Sequence, residues 1–500
     1  MLEEFLADQG AATVLEHGAP LFDLAESRYS VSENNGKCLL HLWSDERNVV
    51  RRVLDGELKN GSLQLSVQRF GVVKPIVLEI CGVGDRRTAT AKKAARAQYA
   101  KLLQRVIADQ NPGFRIDSVS TGMDLERSFS PIYTRALIHR GNSAFAVLGV
   151  NAAEMQASID AALGFGILWL EASRRNCSNS ALVEGLKIFA PPATSAVLRQ
   201  RMAHLNREAA KWELCELDER TEQVTAFDTS DAGNIATRLV HAPDKHSALR
   251  RFGSSIAQVL EVVPEVEPVV LSSTELAFRL HGLQIAGARI GVSRDSFRPA
   301  EQLYFGVRAA EFPVDDDNQE AFRDYLRHIA ERRCSRDRAD PIHRAVPERW
   351  IESMIVRDVT VLDSRLDGLH VYSQVPAFAA CDRAMIDVLT TTRDARLAVL
   401  ELKADEDIHL PLQGLDYWAR VRWHHRRGEF QMHGYFAGRE LSNADPLLFL
   451  IAPALRIHPT TDQILRYLSP EIDWTLLAID ERWRDGIRVI FRKHVVAIQN

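Results

Sequence analysis

Residues 385–403 read Met385-Ile386-Asp387-Val388-Leu389-Thr390-Thr391-Thr392-Arg393-Asp394-Ala395-Arg396-Leu397-Ala398-Val399-Leu400-Glu401-Leu402-Lys403. Two apolar runs, Ala384–Leu389 and Leu397–Lys403, flank an Arg393-Asp394-Ala395 turn, the pattern of two strands joined as a hairpin. Along the second strand Leu397, Val399, Glu401 and Lys403 project to one face, and Ala398, Leu400 and Leu402 to the other. Both faces stay apolar until the strand end, as expected of a strand covered on both sides. A carboxylate and an ammonium leaving such a strand together need partners, because an unpaired charge there costs several kcal/mol.

A divalent cation would be one such partner. The hairpin brings Asp387 and Glu401 side by side as hard oxygen ligands suited to Mg2+ or Mn2+. Such a cation lowers the pKa of a bound water and neutralises charge on a phosphate oxygen. Lys403, on the face of Glu401, is placed to orient that water or to stabilise developing charge. It is also one of only two lysines after Gln319, the other being Lys493, in a region where arginine is plentiful. Glu352, on a predicted helix Trp350–Arg357, offers a third carboxylate, facing the metal directly or through water. On a second predicted helix, Leu412–Trp423, Gln413, Asp416, Tyr417 and Arg420 recur three or four apart and share a face. Gln413 lies near its start, where its amide can bridge Lys403 and a scissile phosphate.

Around this core the last region reads as helix, strands Leu369–Val375, Ala384–Leu389 and Leu397–Lys403, helix, and apolar strand Leu447–Ile451. Helix Thr461–Leu468 and strands Thr475–Ile479 and Arg488–Phe491 follow, which predicts an α/β domain with one mixed sheet. Its boundary is the punctuation Pro313-Val314-Asp315-Asp316-Asp317-Asn318 before a helical run Glu320–Arg333, giving a domain over 319–500. Residues 1–110 read as an α+β domain: strands Cys38–Trp43 and Val72–Ile80, a hairpin about Asn60-Gly61, and a helix Thr88–Asp109. Residues 111–312 read as a further α+β domain of unassigned role. It has helical periodicity at Ala152–Arg175 and Ala196–Leu217, strands at Leu186–Ala190, Val266–Leu271 and Ala286–Val292, and no sequence repeat.

Asp387, the Glu401-Leu402-Lys403 triplet, the upstream helical Glu352 and the downstream helical Gln413 resemble the PD-(D/E)XK nuclease superfamily over roughly residues 345–455. The resemblance implies a multi-domain α+β and α/β chain whose C-terminal part has a restriction-endonuclease-like αβββαβ core with a mixed central sheet. It implies a Mg2+-dependent (or Mn2+-dependent) nuclease that hydrolyses phosphodiesters, DNA being the commoner substrate of that superfamily. By motif, Asp387, Glu401 and Glu352 would be metal ligands, Lys403 the catalytic lysine and Gln413 the accessory glutamine. Ile386 stands where the family has a proline.

Composition excludes other classes. The 500 residues are 46% hydrophobic and 26% charged, which rules out wholesale disorder. A net charge of −5 means that any nucleic-acid contact comes from local patches. Six scattered cysteines include no CxxC pair, the opening MLEEFLADQG lacks a signal-peptide profile, and no apolar run reaches the roughly 20 residues of a membrane span. A chain in the cytoplasm, off the membrane, is expected. No Walker A motif is present, and Gly82-Val83-Gly84 is too short a match for a phosphate loop. A homo-oligomer or a partner ATPase stays open.

Two basic stretches are candidate nucleic-acid contacts. One is the helix with Arg86, Arg87, Lys92, Lys93, Arg96, Lys101 and Arg105; the other is Tyr417–Arg427, where Arg422, Arg426 and Arg427 interleave with rings while Trp418 and Trp423 read as core. His424-His425 read better as solvated than as metal ligands. Asp160, Glu171 and Ser173 faintly mimic a second acidic core, but the periodicity around them is helical. Two rival functions fit the same residues: a catalytically inactive nucleic-acid-binding or scaffold protein that retains the fold, and a hydrolase of small phosphoesters.

Overall fold

The computed structural model describes residues 5, 12–16, 19–24, 28–34, 37–43, 48–59, 62–68, 75–81, 89–124, 128–176, 181–232, 237–292, 299–307, 310–379 and 385–495. Among the described residues the chain is mixed α/β with four sheets, and it folds as two compact units, residues 1–199 with 210–229, and 200–209 with 230–500. Among the described residues no helix is long and apolar enough to cross a membrane.

The first unit opens with seven strands: β1 (Thr13–Glu16), β2 (Ala19–Asp23), β3 (Arg28–Asn34), β4 (Lys37–Trp43), β5 (Asn48–Lys59), β6 (Ser62–Gln68) and β7 (Ile76–Cys81). They form one antiparallel sheet in the order β2-β1-β7-β6-β5-β4-β3. Alternate residues Leu63, Leu65 and Val67 of β6 turn inward against Leu40, Leu42, Leu78 and Ile80. Lys59 pairs with Ser62 as the expected hairpin requires, while Asn60-Gly61 itself lies outside the described residues, as do Gly82-Val83-Gly84, Arg86 and Arg87.

A second sheet follows helix α1 (Ala89–Gln110): β8 (Arg115–Ser120), β9 (Tyr133–Arg140), β10 (Ser143–Val150), helices α2 (Gln156–Asp160) and α3 (Ala162–Asn176), then β11 (Leu182–Ala190), α4 (Ala196–Met202), β12 (Lys211–Leu217) and β13 (Val224–Phe227). Here one expectation is corrected. Ala196–Leu217 is not one helical stretch, because the helix ends at Met202 and Lys211–Leu217 is a strand. Trp212, Leu214, Cys215 and Leu217 are all buried in that strand, and such near-continuous burial blurs the period that separates strand from helix.

The second unit contains β14 (Thr237–Leu239), helices α5 (Lys245–Arg251) and α6 (Gly253–Val262), and an antiparallel meander. The meander strands are β15 (Glu267–Ser272), β16 (Glu275–Leu280), β17 (Leu283–Val292), β18 (Pro299–Val307) and β19 (Ala310–Pro313). The acidic linker then leads into α7 (Gln319–Arg333), whose Phe322 and Leu326 pack into the core under the meander. Helices α8 (Pro341–Arg344) and α9 (Pro347–Arg357) precede β20 (Tyr372–Ala379), β21 (Met385–Thr391) and β22 (Leu397–Leu402). The chain closes with α10 (Leu410–Arg426), α11 (Glu429–Met432), β23 (Leu447–Pro453), α12 (Thr461–Leu465), β24 (Trp474–Ile479) and β25 (Val489–Val495). The expected mixed sheet is present, in the order β14-β20-β21-β22-β23-β24-β25.

The six-stranded sheet of the first unit and strands β20–β25 of this sheet have the same topology. In each, three consecutive strands pair antiparallel (β8-β9-β10; β20-β21-β22), two more add in parallel (β11, β12; β23, β24), and the last returns antiparallel (β13; β25). In each, the leading helix packs on one face, α1 on Ala136, Ile138 and Val147, α9 on Val388, Ala398 and Leu400. The crossover helix meets the first parallel strand through a glycine: Gly166 of α3 against Leu186 and Ile188, Gly414 of α10 against Leu448 and Leu450. The sequence carries no repeat to announce this duplication.

The helix α9 is clamped to the meander. Arg333, with no solvent exposure, donates to the carbonyls of Ile342 at 2.8 Å, Ala345 at 2.7 Å and His281, and stacks on Trp350 at 4.2 Å. Such a buried guanidinium is tolerated because carbonyls satisfy its two terminal nitrogens, while Nε makes no hydrogen bond among the described residues. Beside it Gly282 (φ +74°) leaves no room for a Cβ against the Arg349 carbonyl. We expect Gly282→Ala to cost about 2 kcal/mol or more, from left-handed strain plus the backbone clash, measured as a lower urea midpoint.

Candidate active site

The register of β21 against β22 sets Val388 opposite Leu400 and Leu389 opposite Val399; one further step sets Asp387 beside Glu401. Every residue of β22 is buried, and Leu400 and Leu402 pack under Trp350, Ile351 and Ile355 of α9. Glu401 faces the other way, toward α10, which Gly414 lets approach until a Cβ there would lie 3.7 Å from that of Glu401. A carboxylate is thereby held at 0% exposure, with Lys403 beside it at 9%. Lys403 Nζ donates to Glu401 Oε1 at 3.0 Å, and the Leu402 N–H donates to Asp387 Oδ2 at 3.0 Å. Glu401 Oε2 is buried with no hydrogen-bond partner among the described residues.

Glu352 reaches the cluster through a residue that sequence reasoning missed. Gln374 sits on β20 across from Asp387, between the pairs Ser373–Val388 and Val375–Ile386, with φ of +52°. Its Nε2 donates to Glu352 Oε2 at 2.8 Å and, more weakly, to Asp387 Oδ1 at 3.3 Å. A left-handed backbone at a non-glycine strand residue costs of order 1–3 kcal/mol and is found where function needs it. No composition signal marks such a residue. Arg349, one turn before Glu352, adds an ion pair at 2.8 Å. Gln374 thus joins Glu352 to Asp387, and among the described residues no three His, Cys, Asp or Glu side chains converge as a ready-made metal-binding set.

Electrostatics follow from this crowding. Burial lifts Glu401 well above the usual carboxylate range, and Asp387 adds to the shift. Burial likewise raises Asp387, against the Leu402 N–H and Lys403, and carries Glu352 to about 7 despite Arg349. Burial works against the charge of Lys403, but Glu401, Glu348 and Asp387 outweigh it and hold its pKa above normal.

Asp387, Gln374 and Gln413 line a cavity of about 440 Å3, together with Arg201, Arg349 and Arg420. The four residues expected to share a helical face, Gln413, Asp416, Tyr417 and Arg420, all line it. Gln413 Nε2 lies 3.3 Å from the Tyr417 hydroxyl, and Asp416 holds Arg201 through bonds of 3.0 and 2.7 Å. Arg349, Arg201 and Arg420 therefore bring positive charge to the cavity wall, beside Lys403 in the carboxylate cluster.

Arg422, Arg426 and Arg427 do not line this cavity. Arg422 and Arg426 both bond Asp445, at 2.8 and 3.0 Å, and Arg427 bonds Glu429 and covers Trp423. On α1, Lys92 is half-buried and Lys93 exposed, while Arg96 pairs with Glu154 at 2.7 Å. His424 corrects an expectation: it is buried rather than solvated, between Glu429 at Nδ1 and the Thr237 hydroxyl at Nε2, and burial lowers its pKa. Asp160 and Glu171 lie on helices α2 and α3, as their periodicity predicts.

The duplicated sheet lacks this chemistry. Leu148 stands against Ile188 as Glu401 stands against Leu450, and Ile188 and Leu450 meet the corresponding glycines. In that alignment Leu148 and Val150 replace Glu401 and Lys403, and Arg135, opposite Leu148, replaces Asp387. Arg135 is buried and bonded to the carbonyls of Ser130 and Gly122, so a cation is repelled there.

In EDTA we expect stability to fall as pH rises from about 4.5 to about 7, because the native state keeps protons that the unfolded chain releases. Glu352 alone accounts for on the order of 3 kcal/mol of that slope, with Asp387 and Glu401 adding in the same sense. Glu352→Gln flattens it, as read from urea unfolding at stepped pH. Set beside protein-family models, curated proteins and solved structures, the chain matches none, so its chemistry has to be read from these side chains themselves.

Proposed function

We propose that the C-terminal domain, residues 319–500, hydrolyses phosphodiester bonds of nucleic acid, DNA in the first instance, with a divalent cation, as a restriction-endonuclease-like domain of the PD-(D/E)XK type. One observation carries this: Asp387 and Glu401 abut on neighbouring strands, Lys403 holds one Glu401 oxygen, and the other is buried without a partner. A buried, unpartnered carboxylate oxygen beside a second carboxylate is a position that a hard cation would satisfy. Mg2+ suits a site of one or two carboxylates because it keeps several of its waters. Asp387 and Glu401 are the residues that would hold it; Glu352 stands behind Gln374 and steadies Asp387 from there.

The bound cation would supply charge neutralisation and an acidified water. The chain's own groups do the rest. Lys403, kept charged by the surrounding carboxylates, offers its remaining N–H bonds to a phosphate oxygen or an attacking water. Gln413 and Tyr417 present neutral donors at the cavity wall, where a phosphate can be oriented without competing for the cation. Arg201, Arg349 and Arg420 give the wall positive charge, and Asp416 fixes Arg201 in place. The paired geometry of arginine suits a phosphodiester. The succession of α9, β20, β21, β22, α10 and β23 supports the proposed core, since it places motif residues from helix, strand and helix beside one strand end.

The test is cleavage of circular single-stranded and supercoiled plasmid DNA by the full chain with Mg2+, Mn2+ or EDTA. We expect metal-dependent cleavage, reduced about 10²–10³-fold or more by Asp387→Ala and by Lys403→Ala. A chain that neither cleaves nor binds Mn2+ is instead the inactive nucleic-acid-binding or scaffold protein, with the same residues serving as a structural charge cluster.

A further inference from the structure

A second cavity, of about 380 Å3, begins where β22 ends. Ala404 and Asp405, the residues after Lys403, line it with Arg344, Arg456 and Arg484. A smaller cavity of about 200 Å3 shares Arg344, Arg484 and Glu481 with it and adds Arg338 and Arg482. Five arginines therefore face this space against two carboxylates, Asp405 and Glu481. One Glu481 oxygen is already taken by the Leu455 N–H at 2.7 Å, and Arg338 is paired with Asp485 at 3.4 Å. Among the described residues, the guanidinium groups of Arg344, Arg456 and Arg484 have no ion pair or hydrogen bond.

Arg484 is the informative member. Its guanidinium lies 4.1 Å from the Trp483 ring and 5.3 Å from the Trp350 ring, so it is held in place by two indoles from the core. Its Nε is buried and makes no hydrogen bond. Burial lowers its pKa, and Arg338 and Arg344 push in the same direction. Like charges gathered in a half-buried space repel, and a lost hydrogen bond adds to the cost. An anion with several oxygens removes both penalties at once.

We propose that this arginine cavity binds a phosphate group, at a site separate from the carboxylate cluster. Planar guanidinium groups match phosphate oxygens in pairs, and the sparse apolar lining offers little to an uncharged ligand. The phosphate comes either from a nucleic-acid strand or from a free phosphoanion. The first source fits the position, since the two cavities border the same helix: Pro347 lines one, Arg349 the other.

Calorimetric titration of the full chain with inorganic phosphate in EDTA, at constant ionic strength, tests this. Arg344 and Arg456 are exposed, so Arg344→Ala/Arg456→Ala leaves the fold intact. We expect phosphate to bind the wild type and Asp387→Ala alike, and the double variant about tenfold more weakly or worse. Equal binding by the double variant, loss of binding in Asp387→Ala, or no binding by the wild type each overturns the proposal. Displacement of phosphate by a short single-stranded oligonucleotide assigns the site to nucleic acid; phosphate binding without displacement assigns it to a free phosphoanion. Phosphate bound through Arg344 and Arg456 in a chain that cleaves no DNA would retire the nuclease proposal alone.

Discussion

A carboxylate with no solvent exposure in the central strand of a seven-stranded sheet imposes conditions on everything around it. Glu401 is buried because helices cover both faces of β22, and Gly414 lets one of them come close enough to seal it. A lone charge there would simply take up a proton, so the ammonium of Lys403 and the carboxylate of Asp387 decide its state between them. Asp387 in turn is tied to the backbone of β22 and, through the strained Gln374, to Glu352. Glu352 rides on α9, and α9 is fixed to the meander by Arg333 and the tight contact at Gly282. A chain of contacts thus runs from a hairpin far away in sequence to the carboxylates.

The core of the candidate site was legible in the sequence because it obeys a local rule. Asp387 and Glu401 are one hairpin apart, Lys403 is two residues further on the same face, and Gln413 begins the next helix. Residues brought in by tertiary structure were not legible. Gln374 needs a positive φ that glutamine does not advertise, Arg201 precedes the site by nearly half the chain, and Gly414 matters only once its strand neighbours are known. Charge patterning also hides partners: Arg422 and Arg426, candidate nucleic-acid contacts in the sequence, both pair with Asp445, which lies outside the run. His424 was hidden likewise, since its partners Glu429 and Thr237 come from different elements.

Fold class followed from alternating blocks of strand and helix, but the duplication did not. The two sheets share order, direction and the glycine of the crossover helix, while the residues on their strands have little in common. Leu148 and Arg135 where the other sheet has Glu401 and Asp387 give one sheet a guanidinium satisfied by carbonyls and the other a cluster of carboxylates. Topology depends on the pattern of burial, which many side chains satisfy; catalysis depends on a few atoms, which almost none do.

Two sheets of one strand order within a single polypeptide also create a hazard during synthesis. A strand from one sheet can in principle insert into the matching slot of the other, the characteristic misassembly of chains with repeated units. The mismatch at the strand ends works against it. Leu148 in the slot of Glu401 would strand Lys403 without its carboxylate, and Glu401 in the slot of Leu148 would bury a charge that only Arg135 could answer. Order of emergence from the ribosome helps further, since residues 89–227 are complete before β20 has been made. Divergence of the two sheets is therefore a safeguard for folding.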